Sequence, residues 1–360
     1  MNSRITGSVR IVGAGLLGTS IGLALSKQGV DVIVSDASPA AQSLAVDYGA
    51  GRLPQADDQP ALIVVCVPPD ITADIVAAEL AAHPLAVVTD VASVKSAVLS
   101  SLENSGVALE RYVGSHPMAG RERGGAISGR ADLFIGRTWV ISPTQSSSAE
   151  AVSRVEQLAL ALGASPLQVP AAEHDRAVAL VSHLPQVVAS LTAGQLVDAE
   201  LADVQLAGQG IRDTIRIASS DPKLWIQILS ANASGVLQVL KGLARDLDGF
   251  ISALENINSP GSLSAISSAL DRGNQGVARL PGKHGAKATH YATVTVMIDD
   301  KPGELARLLT EVGEANVNLE EIKLEHSPSS QIGLVELFVL PTIETHLINE
   351  LTARGWRMVA

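Results

Sequence analysis

A histidine that follows a short apolar segment is the strongest candidate for chemistry in this sequence. His116 lies in the stretch Ser115–Gly120, SHPMAG, directly after residues 112–114, which have the pattern of a buried strand. An imidazole titrates near neutral pH, so a histidine at the carboxyl end of a strand can accept a proton from a bound molecule. We therefore predict that His116 is a general base and that Ser115 contacts the substrate.

A serine near the end of the preceding strand is the second candidate. Ser93 lies in the stretch Asp90–Lys95, DVASVK. Its hydroxyl can cap the helix that follows, as serine commonly does. It can also relay hydrogen bonds between His116 and a hydroxyl group of the substrate, and the two roles are compatible.

Three glycines near the start of the chain have the spacing of a dinucleotide-binding loop. Gly13, Gly15 and Gly18 follow an apolar strand pattern and precede a segment with helical periodicity. The first allows a tight turn, the second lets the backbone approach a pyrophosphate, and the third lets the helix pack closely on the strand. The helix N-terminus also favours the negative charge of a phosphate.

An aspartate at the end of the second predicted strand indicates which dinucleotide is bound. Asp36 lies 18 residues after Gly18, where a carboxylate accepts hydrogen bonds from the ribose hydroxyls and repels a 2′-phosphate. We therefore predict NAD as the cofactor, in preference to NADP. The residues predicted to contact it are Gly13, Gly15, Leu16, Leu17, Gly18, Asp36, Val67 and Pro68.

Other charged residues give weaker signals. Arg216 can bind a carboxylate through two hydrogen bonds, although by charge alone it is typical of a protein surface. His174 is more typical of a helix start than of a ligand contact. No set of His, Cys, Asp and Glu residues has the spacing of a metal site, and we predict none.

The composition limits the possible partners and compartments. The net charge of −11 argues against nucleic acid and anionic membranes as partners. The single cysteine, Cys66, excludes disulfides within the chain and fits a reducing cytoplasm. We find no pattern of a signal peptide and no uninterrupted apolar run of membrane-spanning length, so we predict a cytoplasmic protein.

The order of the elements predicts three domains. Strand and helix patterns alternate over residues 1–170, which predicts a Rossmann-type doubly wound α/β sheet with strands at 61–67, 86–89, 112–114 and 138–141. Residues 171–272 have only helical periodicity and predict an all-α domain that binds substrate and pairs subunits. Its longest predicted helix starts at Pro222 and continues past Leu240.

The last part of the chain predicts a small α+β domain. Residues 273–289 are rich in Gly, Lys and His and predict a linker. Residues 290–360 then follow the order β-α-β-β-α, with a possible last strand at 356–359, which is a ferredoxin-like order. Gly303 precedes a helix and leaves room for a ligand carboxylate, and Asn316 offers a polar contact nearby, so both are predicted regulatory residues.

Several of these segments together resemble the prephenate and arogenate dehydrogenases of tyrosine biosynthesis. The resemblance spans residues 8 to about 260 and is specific because the motifs occur in the family's order. The C-terminal segment resembles an ACT domain, a fold that commonly binds amino acids. The matching stretches are Gly13–Gly18, Asp90–Lys95, Ser115–Gly120, His174–Gln186 and Asp213–Trp225.

The resemblance implies roles for individual residues. By it, His116 takes the proton of the substrate hydroxyl, Ser93 is its hydrogen-bonded partner, Arg216 binds a carboxylate, and His183 lines the same pocket. Gln186 departs from relatives that have a second histidine there, which leaves the contact to the substrate side chain open. The resemblance also implies a homodimer and tyrosine as the effector.

We therefore predict an NAD-dependent prephenate dehydrogenase that is feedback-regulated through an ACT domain. Arogenate dehydrogenase is the nearest alternative, because it has the same chemistry on a substrate with an amino group. Another hydroxyacid dehydrogenase would need a catalytic lysine at the start of the helical domain, and we find no candidate. A non-catalytic amino-acid sensor would be expected to lack His116, Ser93 or Arg216, and all three are present.

Overall fold

The chain forms two compact units. Contacts divide it into Met1–Ala244 and Arg245–Ala360. The finer division into three domains and a linker stays a prediction. The structure is a computed structural model, and the residues that it describes are 5–120, 124–280, 291–326 and 332–359.

Seven strands of the first unit form one sheet. They are β1 (Val9–Val12), β2 (Val32–Ser35), β3 (Leu62–Val65), β4 (Val87–Asp90), β5 (Tyr112–Pro117), β6 (Thr138–Pro143) and β7 (Ser165–Gln168). Their order is β2-β1-β3-β4-β5-β6-β7, and β1 to β5 are parallel. β2 lies on one side of β1, and β3 and the later strands lie on the other. Ligands of such sheets bind where the strand order reverses in this way, at the carboxyl ends of the strands. The predicted Rossmann-like sheet is therefore confirmed.

The strand that carries His116 is longer than predicted. β5 continues from Gly114 to Pro117 because it pairs with β6, in which Val140 lies opposite His116. This pairing is antiparallel, whereas β1 to β5 are parallel to one another. His116 therefore lies within the last residues of β5 rather than in a loop beyond it, and its backbone pairs with β6.

Helices of the first unit cover the sheet and then form a helical region after Pro170. The amino-terminal helices are α1 (Leu16–Ser26), α2 (Pro39–Asp47), α3 (Pro69–Ala82), α4 (Ser96–Ser105) and α5 (Ala149–Ala161). The later ones are α6 (Ala171–Val178), α7 (Leu184–Gly194), α8 (Leu201–Val204), α9 (Gln209–Ile215) and α10 (Pro222–Ala231), and α11 (Ala233–Glu255) continues into the second unit.

Two interruptions shape these helices. A π-helical turn, Ala179–His183, joins α6 to α7. Pro185 explains it, because proline has no N–H and its ring would collide with the carbonyl four residues earlier in a regular α-helix. The helix predicted to continue past Leu240 is instead broken at Asn232, which separates α10 from α11.

One helical segment has the length and apolar composition of a membrane span. It covers Ala171–Gly194, has a mean hydropathy of 1.4 and is 28% buried within the chain. The same segment carries His174, Asp175 and His183, which are buried. We interpret it as a helix that supports the site, with an apolar outer face.

The second unit contains a four-stranded antiparallel sheet. Its elements are α12 (Ser262–Val277), β8 (Ala292–Asp299), α13 (Glu304–Glu314), β9 (Glu321–His326), β10 (Ile332–Val339), α14 (Glu344–Ala353) and β11 (Arg357–Val359). The strand order is β11-β8-β10-β9, and alternate residues of β8 and β10 are buried with residues of α13 and α14. The predicted β-α-β-β-α order and the final strand are confirmed.

The predicted linker is only partly a linker. Its first residues belong to α12, which continues to Val277, because helical periodicity persists beyond residue 272. The glycine-, lysine- and histidine-rich part, 281–290, lies outside the described residues.

The two predicted regulatory residues lie at opposite ends of α13. Gly303 precedes the helix with φ of +93°, and Asn316 follows it with φ of +56°. The N–H of Asn316 donates to the carbonyl of Gly313, and that of Val317 donates to the carbonyl of Val312. Asn316 therefore ends the helix in a left-handed conformation, which asparagine tolerates better than most residues.

This geometry predicts the effect of substitutions at Asn316. Asn316→Gly should leave the stability of the second unit unchanged or slightly raised, whereas Asn316→Val should lower it by roughly 1–2 kcal/mol, because a β-branched residue is strained at positive φ. Urea unfolding and hydrogen exchange of the last turn of α13 measure the difference. Equal stability of both variants would contradict the backbone explanation.

Candidate active site

The glycine loop has the geometry of a nucleotide-binding turn. Gly13 adopts φ of +108°, and a Cβ there would lie 2.4 Å from the carbonyl oxygen of Cys66. A Cβ on Gly18 would lie 1.9 Å from the carbonyl oxygen of Gly13. Among the described residues, none comes within 4 Å of a Cβ placed on Gly15, so the loop has open space where a pyrophosphate would approach.

The surroundings of the loop suit a dinucleotide. No side chain caps the first turn of α1, so its N–H groups face the loop opening. Asp36 accepts hydrogen bonds from the N–H of Ala14 at 2.6 Å and of Ser38 at 2.7 Å, which holds its carboxylate against the loop. Leu16, Leu17 and Val67 are half-buried around the loop, and Pro68 is exposed at the start of α3.

A chain of two imidazoles and a carboxylate leads away from His116. His116 Nδ1 lies 2.9 Å from His174 Nε2, and the two rings meet edge to face. His174 Nδ1 lies 2.8 Å from Asp175 Oδ1. The ring of His174 and the carboxylate of Asp175 are buried. Sequence reasoning treated His174 as a helix-start residue and missed this contact.

The carboxylate of Asp175 also caps α4 from outside that helix. Its Oδ1 accepts the N–H of Lys95 at 2.8 Å, and its Oδ2 accepts the N–H of Ser96 at 2.8 Å. Within the described part of the chain, the Ser93 hydroxyl forms no hydrogen bond with His116 or with α4. The structure therefore assigns the predicted cap to Asp175 and the predicted partner of His116 to His174.

This network sets the protonated nitrogen of each ring when both imidazoles are neutral. A carboxylate only accepts hydrogen bonds, so neutral His174 carries its proton on Nδ1 and presents a lone pair at Nε2. His116 must then donate from Nδ1. The Nε2 of His116 is left unprotonated and is the atom that can receive a proton.

A buried ion pair lies beneath the site. Lys95 contacts Asp90 through its Nζ, and the Tyr112 hydroxyl donates to the same carboxylate at 2.8 Å. Ser115 donates to the carbonyl of Asp90 at 2.7 Å and accepts from Thr89 at 3.1 Å. Because Ser115 is fully buried and both functions of its hydroxyl are occupied, the predicted contact between Ser115 and the substrate is not retained.

His183 has the opposite hydrogen-bond polarity to His116. The amide nitrogen of Asn232 donates to the carbonyl of Asp175 at 2.7 Å and lies 3.3 Å from His183 Nδ1. An amide nitrogen only donates, so His183 Nδ1 accepts and its proton is on Nε2. The ring also meets Trp225 edge to face, with 6.1 Å between centroids.

Burial lowers the pKa of His116 and of His183 and so favours the neutral form of each ring. Burial lowers the pKa of His116 well below its ordinary value, and the nearby His174, Lys95 and His183 lower it further, against the opposing effect of Asp175. Burial also lowers the pKa of His183, against the effect of the same carboxylate. At neutral pH His116 is therefore a neutral acceptor.

The remaining predicted residues lie near each other beside α7. Gln186 is buried and donates from its amide nitrogen to Ser220 at 2.8 Å and to Ser190 at 3.3 Å. Arg216 begins a 3-10 turn, Arg216–Ala218, that packs against α7. The residue Arg216 itself is exposed. Sequence reasoning thus found residues of one region, although their neighbours Ser220 and Asn232 gave no signal.

Comparison with known proteins identifies the family. The prephenate dehydrogenase nucleotide-binding domain matches residues 21–167, and the prephenate dehydrogenase dimerization domain matches residues 170–266. A probable prephenate dehydrogenase, NovF, from Streptomyces niveus is 36% identical over 353 residues, which are 96% of this chain and 98% of that protein. The chain belongs to the prephenate dehydrogenase family. It is accordingly an NAD-dependent oxidoreductase.

Solved structures share the fold of the larger part of the chain. Prephenate dehydrogenase from Aquifex aeolicus, in complex with hydroxyphenyl propionate and NAD+, is 25% identical, with a TM-score of 0.66 over 75% of this chain and 98% of that one. Arogenate dehydrogenase from Synechocystis is 25% identical, with a TM-score of 0.62 over 74% of this chain and 99% of that one. Prephenate and arogenate enzymes thus share this architecture.

The glycine geometry of this family member predicts a contrast between two substitutions. Gly18→Ala should lower the free energy of unfolding by about 1–3 kcal/mol, because its Cβ would collide with the backbone. Gly15→Ala should leave the melting temperature unchanged and weaken NAD binding, because its Cβ would enter the open space. Thermal unfolding without NAD and calorimetric titration with NAD separate the effects. A destabilised Gly15→Ala variant would contradict the assignment.

Proposed function

We propose that the chain oxidises and decarboxylates prephenate to 4-hydroxyphenylpyruvate, with His116 as the base. The observation that carries this assignment is the 2.9 Å contact between His116 Nδ1 and His174 Nε2, because a hydrogen bond donated by Nδ1 leaves Nε2 of His116 as the proton acceptor. That nitrogen lies at the edge of the sheet whose β1 loop has the geometry for NAD. A proton acceptor and a dinucleotide site at one sheet edge are what hydroxyl oxidation requires.

The reaction balances with one proton acceptor. The nucleotide loop would hold NAD, and bound NAD would supply the acceptor for the hydride of the ring carbon that bears the hydroxyl group. His116 Nε2 takes the hydroxyl proton as the carbon–oxygen bond of the hydroxyl group becomes a carbonyl. Loss of carbon dioxide leaves its electron pair in the ring, and the oxygen regains a proton from His116. The product is aromatic, so the overall reaction is strongly favourable.

Arg216 and His183 are proposed to bind and orient the substrate. Arg216 lies in the turn that packs against α7, and a guanidinium can hold a substrate carboxylate through two hydrogen bonds. His183 offers the donor at Nε2 that its contact with Asn232 leaves. Gly13, Gly15, Gly18 and the residues around that loop are proposed to hold NAD, with Asp36 on the ribose.

Arogenate is the second candidate substrate, and Gln186 favours it. The amide nitrogen of Gln186 is occupied by Ser220 and Ser190, so its carbonyl oxygen is the atom left to face a ligand. A carbonyl oxygen accepts a hydrogen bond from the ammonium group of arogenate and cannot donate to the keto oxygen of prephenate.

The helical region is proposed to form a homodimer. The match to the dimerization domain covers residues 170–266. Apolar side chains of the same region are exposed in the single chain, including Leu180, Val181, Leu191 and Ile226. A second copy that covers this face would remove the apolar surface from water.

The second unit is proposed to be an ACT regulatory domain that binds tyrosine. Its strand order and its two helices on one face support the fold assignment. Next to Gly303 there is open space at the N-terminus of α13, where a carboxylate would be favoured. Asn316 lies at the opposite end of α13, so the ligand carboxylate is proposed to bind at Gly303.

We also propose that the enzyme acts in the cytoplasm. A single cysteine, Cys66, and a soluble biosynthetic substrate fit a reducing compartment. The net charge of −11 disfavours binding to nucleic acid or to an anionic membrane.

The base assignment predicts the behaviour of His116→Asn. This variant should bind NAD normally and lose roughly 10²–10⁴-fold in kcat, because general-base catalysis is removed. In the unchanged enzyme, kcat/KM should fall as pH drops through the lowered pKa of His116, so the acidic limb lies below pH 6.5. Absorbance of NADH measures both.

The substrates and the pH profile provide the decisive comparison. Prephenate and arogenate should each be assayed with NAD and with NADP. Turnover of neither substrate would contradict the proposed function, and faster turnover of arogenate would favour the second candidate. Near-normal turnover of His116→Asn across pH would show that another group is the base.

The regulatory assignment predicts the effect of removing the C-terminal sheet. Tyrosine should inhibit the full chain, and a chain that ends at Leu280 should keep hydride transfer and lose the inhibition, because the proposed catalytic residues precede that point. Initial rates with increasing tyrosine measure the effect. A truncated enzyme that stays folded, active and equally sensitive would place the inhibition at the active site.

A further inference from the structure

We infer that His174 and Asp175 are positioning residues that hold His116 in the tautomer required for catalysis. This inference rests on the proposed function, since it concerns the same base. It goes beyond that function because it assigns a role to two residues that do not touch the substrate. The three groups are joined through contacts of 2.9 Å and 2.8 Å.

The hydrogen-bonded series of Asp175, His174 and His116 begins at a carboxylate that several contacts hold in place. Asp175 accepts N–H groups from Lys95 and Ser96 at the start of α4, in addition to its contact with His174. Its backbone carbonyl accepts from Asn232. Two elements of the fold therefore hold this residue, and its carboxylate cannot rotate away without breaking the cap of α4.

When both imidazoles are neutral, the two hydrogen bonds of this series run in one direction, from His116 to His174 and from His174 to Asp175. The carboxylate accepts from His174 Nδ1, and His174 Nε2 accepts from His116 Nδ1. If His116 carried its proton on Nε2 instead, two lone pairs would face each other at 2.9 Å. Such a contact between buried acceptors is unfavourable, so the chain disfavours the tautomer in which Nε2 cannot act as a base.

The same hydrogen-bonded series also stabilises the imidazolium form of His116. When His116 has accepted a proton at Nε2, its Nδ1–H still donates to His174, and the charge of Asp175 lies at the far end. Among the described residues, the other titratable groups near His116 are Lys95 and His183, which disfavour the imidazolium. Asp175 is the group that favours it, as the carboxylate does in hydrolase triads.

Two substitutions of His174 separate positioning from packing. The carboxamide of Gln can place an acceptor where Nε2 of histidine lies, whereas that of Asn reaches only the position of Nδ1. His174→Gln should therefore keep the contact with His116, and His174→Asn should keep only the contact with Asp175. His83→Asn, at the end of α3, is the matched control outside the site.

The kinetic expectation follows from the tautomer. His174→Asn should lower kcat with prephenate by about 10²-fold or more, with KM for prephenate and NAD changed less than about threefold. His174→Gln should lose no more than about tenfold. His83→Asn should equal the unchanged enzyme. The unchanged enzyme and the three variants should have similar melting temperatures and the same oligomeric state.

The tautomer itself is measurable without turnover. Nitrogen-15 NMR of the full-length enzyme distinguishes protonated from unprotonated imidazole nitrogens, and the signals of His116 can be assigned with His116→Asn. We expect Nδ1 of His116 to be protonated in the unchanged enzyme and in His174→Gln. In His174→Asn we expect a mixture of tautomers.

Failure of this inference is distinguishable from failure of the proposed function. If the unchanged enzyme does not oxidise prephenate or arogenate, the proposed function is wrong. If it does so, and His116→Asn is inactive, the inference is overturned by a His174→Asn variant with normal kcat or with an unchanged tautomer. Equal loss in the Gln and Asn variants would also overturn it, because positioning predicts that they differ.

Discussion

The carboxylate of Asp175 is the contact on which the arrangement of the site depends. It stabilises the N-terminus of α4, which follows β4, and it holds His174, which contacts His116 in β5. A single residue of α6 therefore sets the position of the helical region against the sheet. Because the carboxylate accepts all three bonds, removing it would leave buried N–H groups without acceptors, which typically costs about 1–3 kcal/mol for each group.

Local patterns predicted the parts of the site whose geometry is local. The turn at Gly13–Gly18 and the sheet strands were predicted correctly because spacing and apolar runs are properties of neighbouring residues. The partner of His116 was not found, because His174 is 58 residues away and its sequence context is also that of an ordinary helix start. Ser93 had a plausible local pattern, but the cap of α4 is supplied from α6.

The helical region shows how tertiary contacts change elements that periodicity suggests are continuous. Asn232 interrupts the predicted long helix, and its amide donates to the carbonyl of Asp175 while it contacts His183. Pro185 is visible in the sequence, but the π-helical turn that accommodates it is not. That turn changes the rotation of α7 relative to α6, so the faces that carry His183 and Gln186 could not be derived from a regular period of 3.6 residues.

The two sides of Asp175 give the pocket opposite hydrogen-bond polarities. Its side chain acts through His174 and leaves His116 with a free acceptor at Nε2. Its backbone carbonyl binds the amide of Asn232, which leaves His183 with a donor at Nε2. A substrate that carries a hydroxyl group to be deprotonated and a carboxylate or keto oxygen to be held needs one acceptor and one donor. Both polarities are set by protein contacts of the two histidines, through His174 on one side and Asn232 on the other.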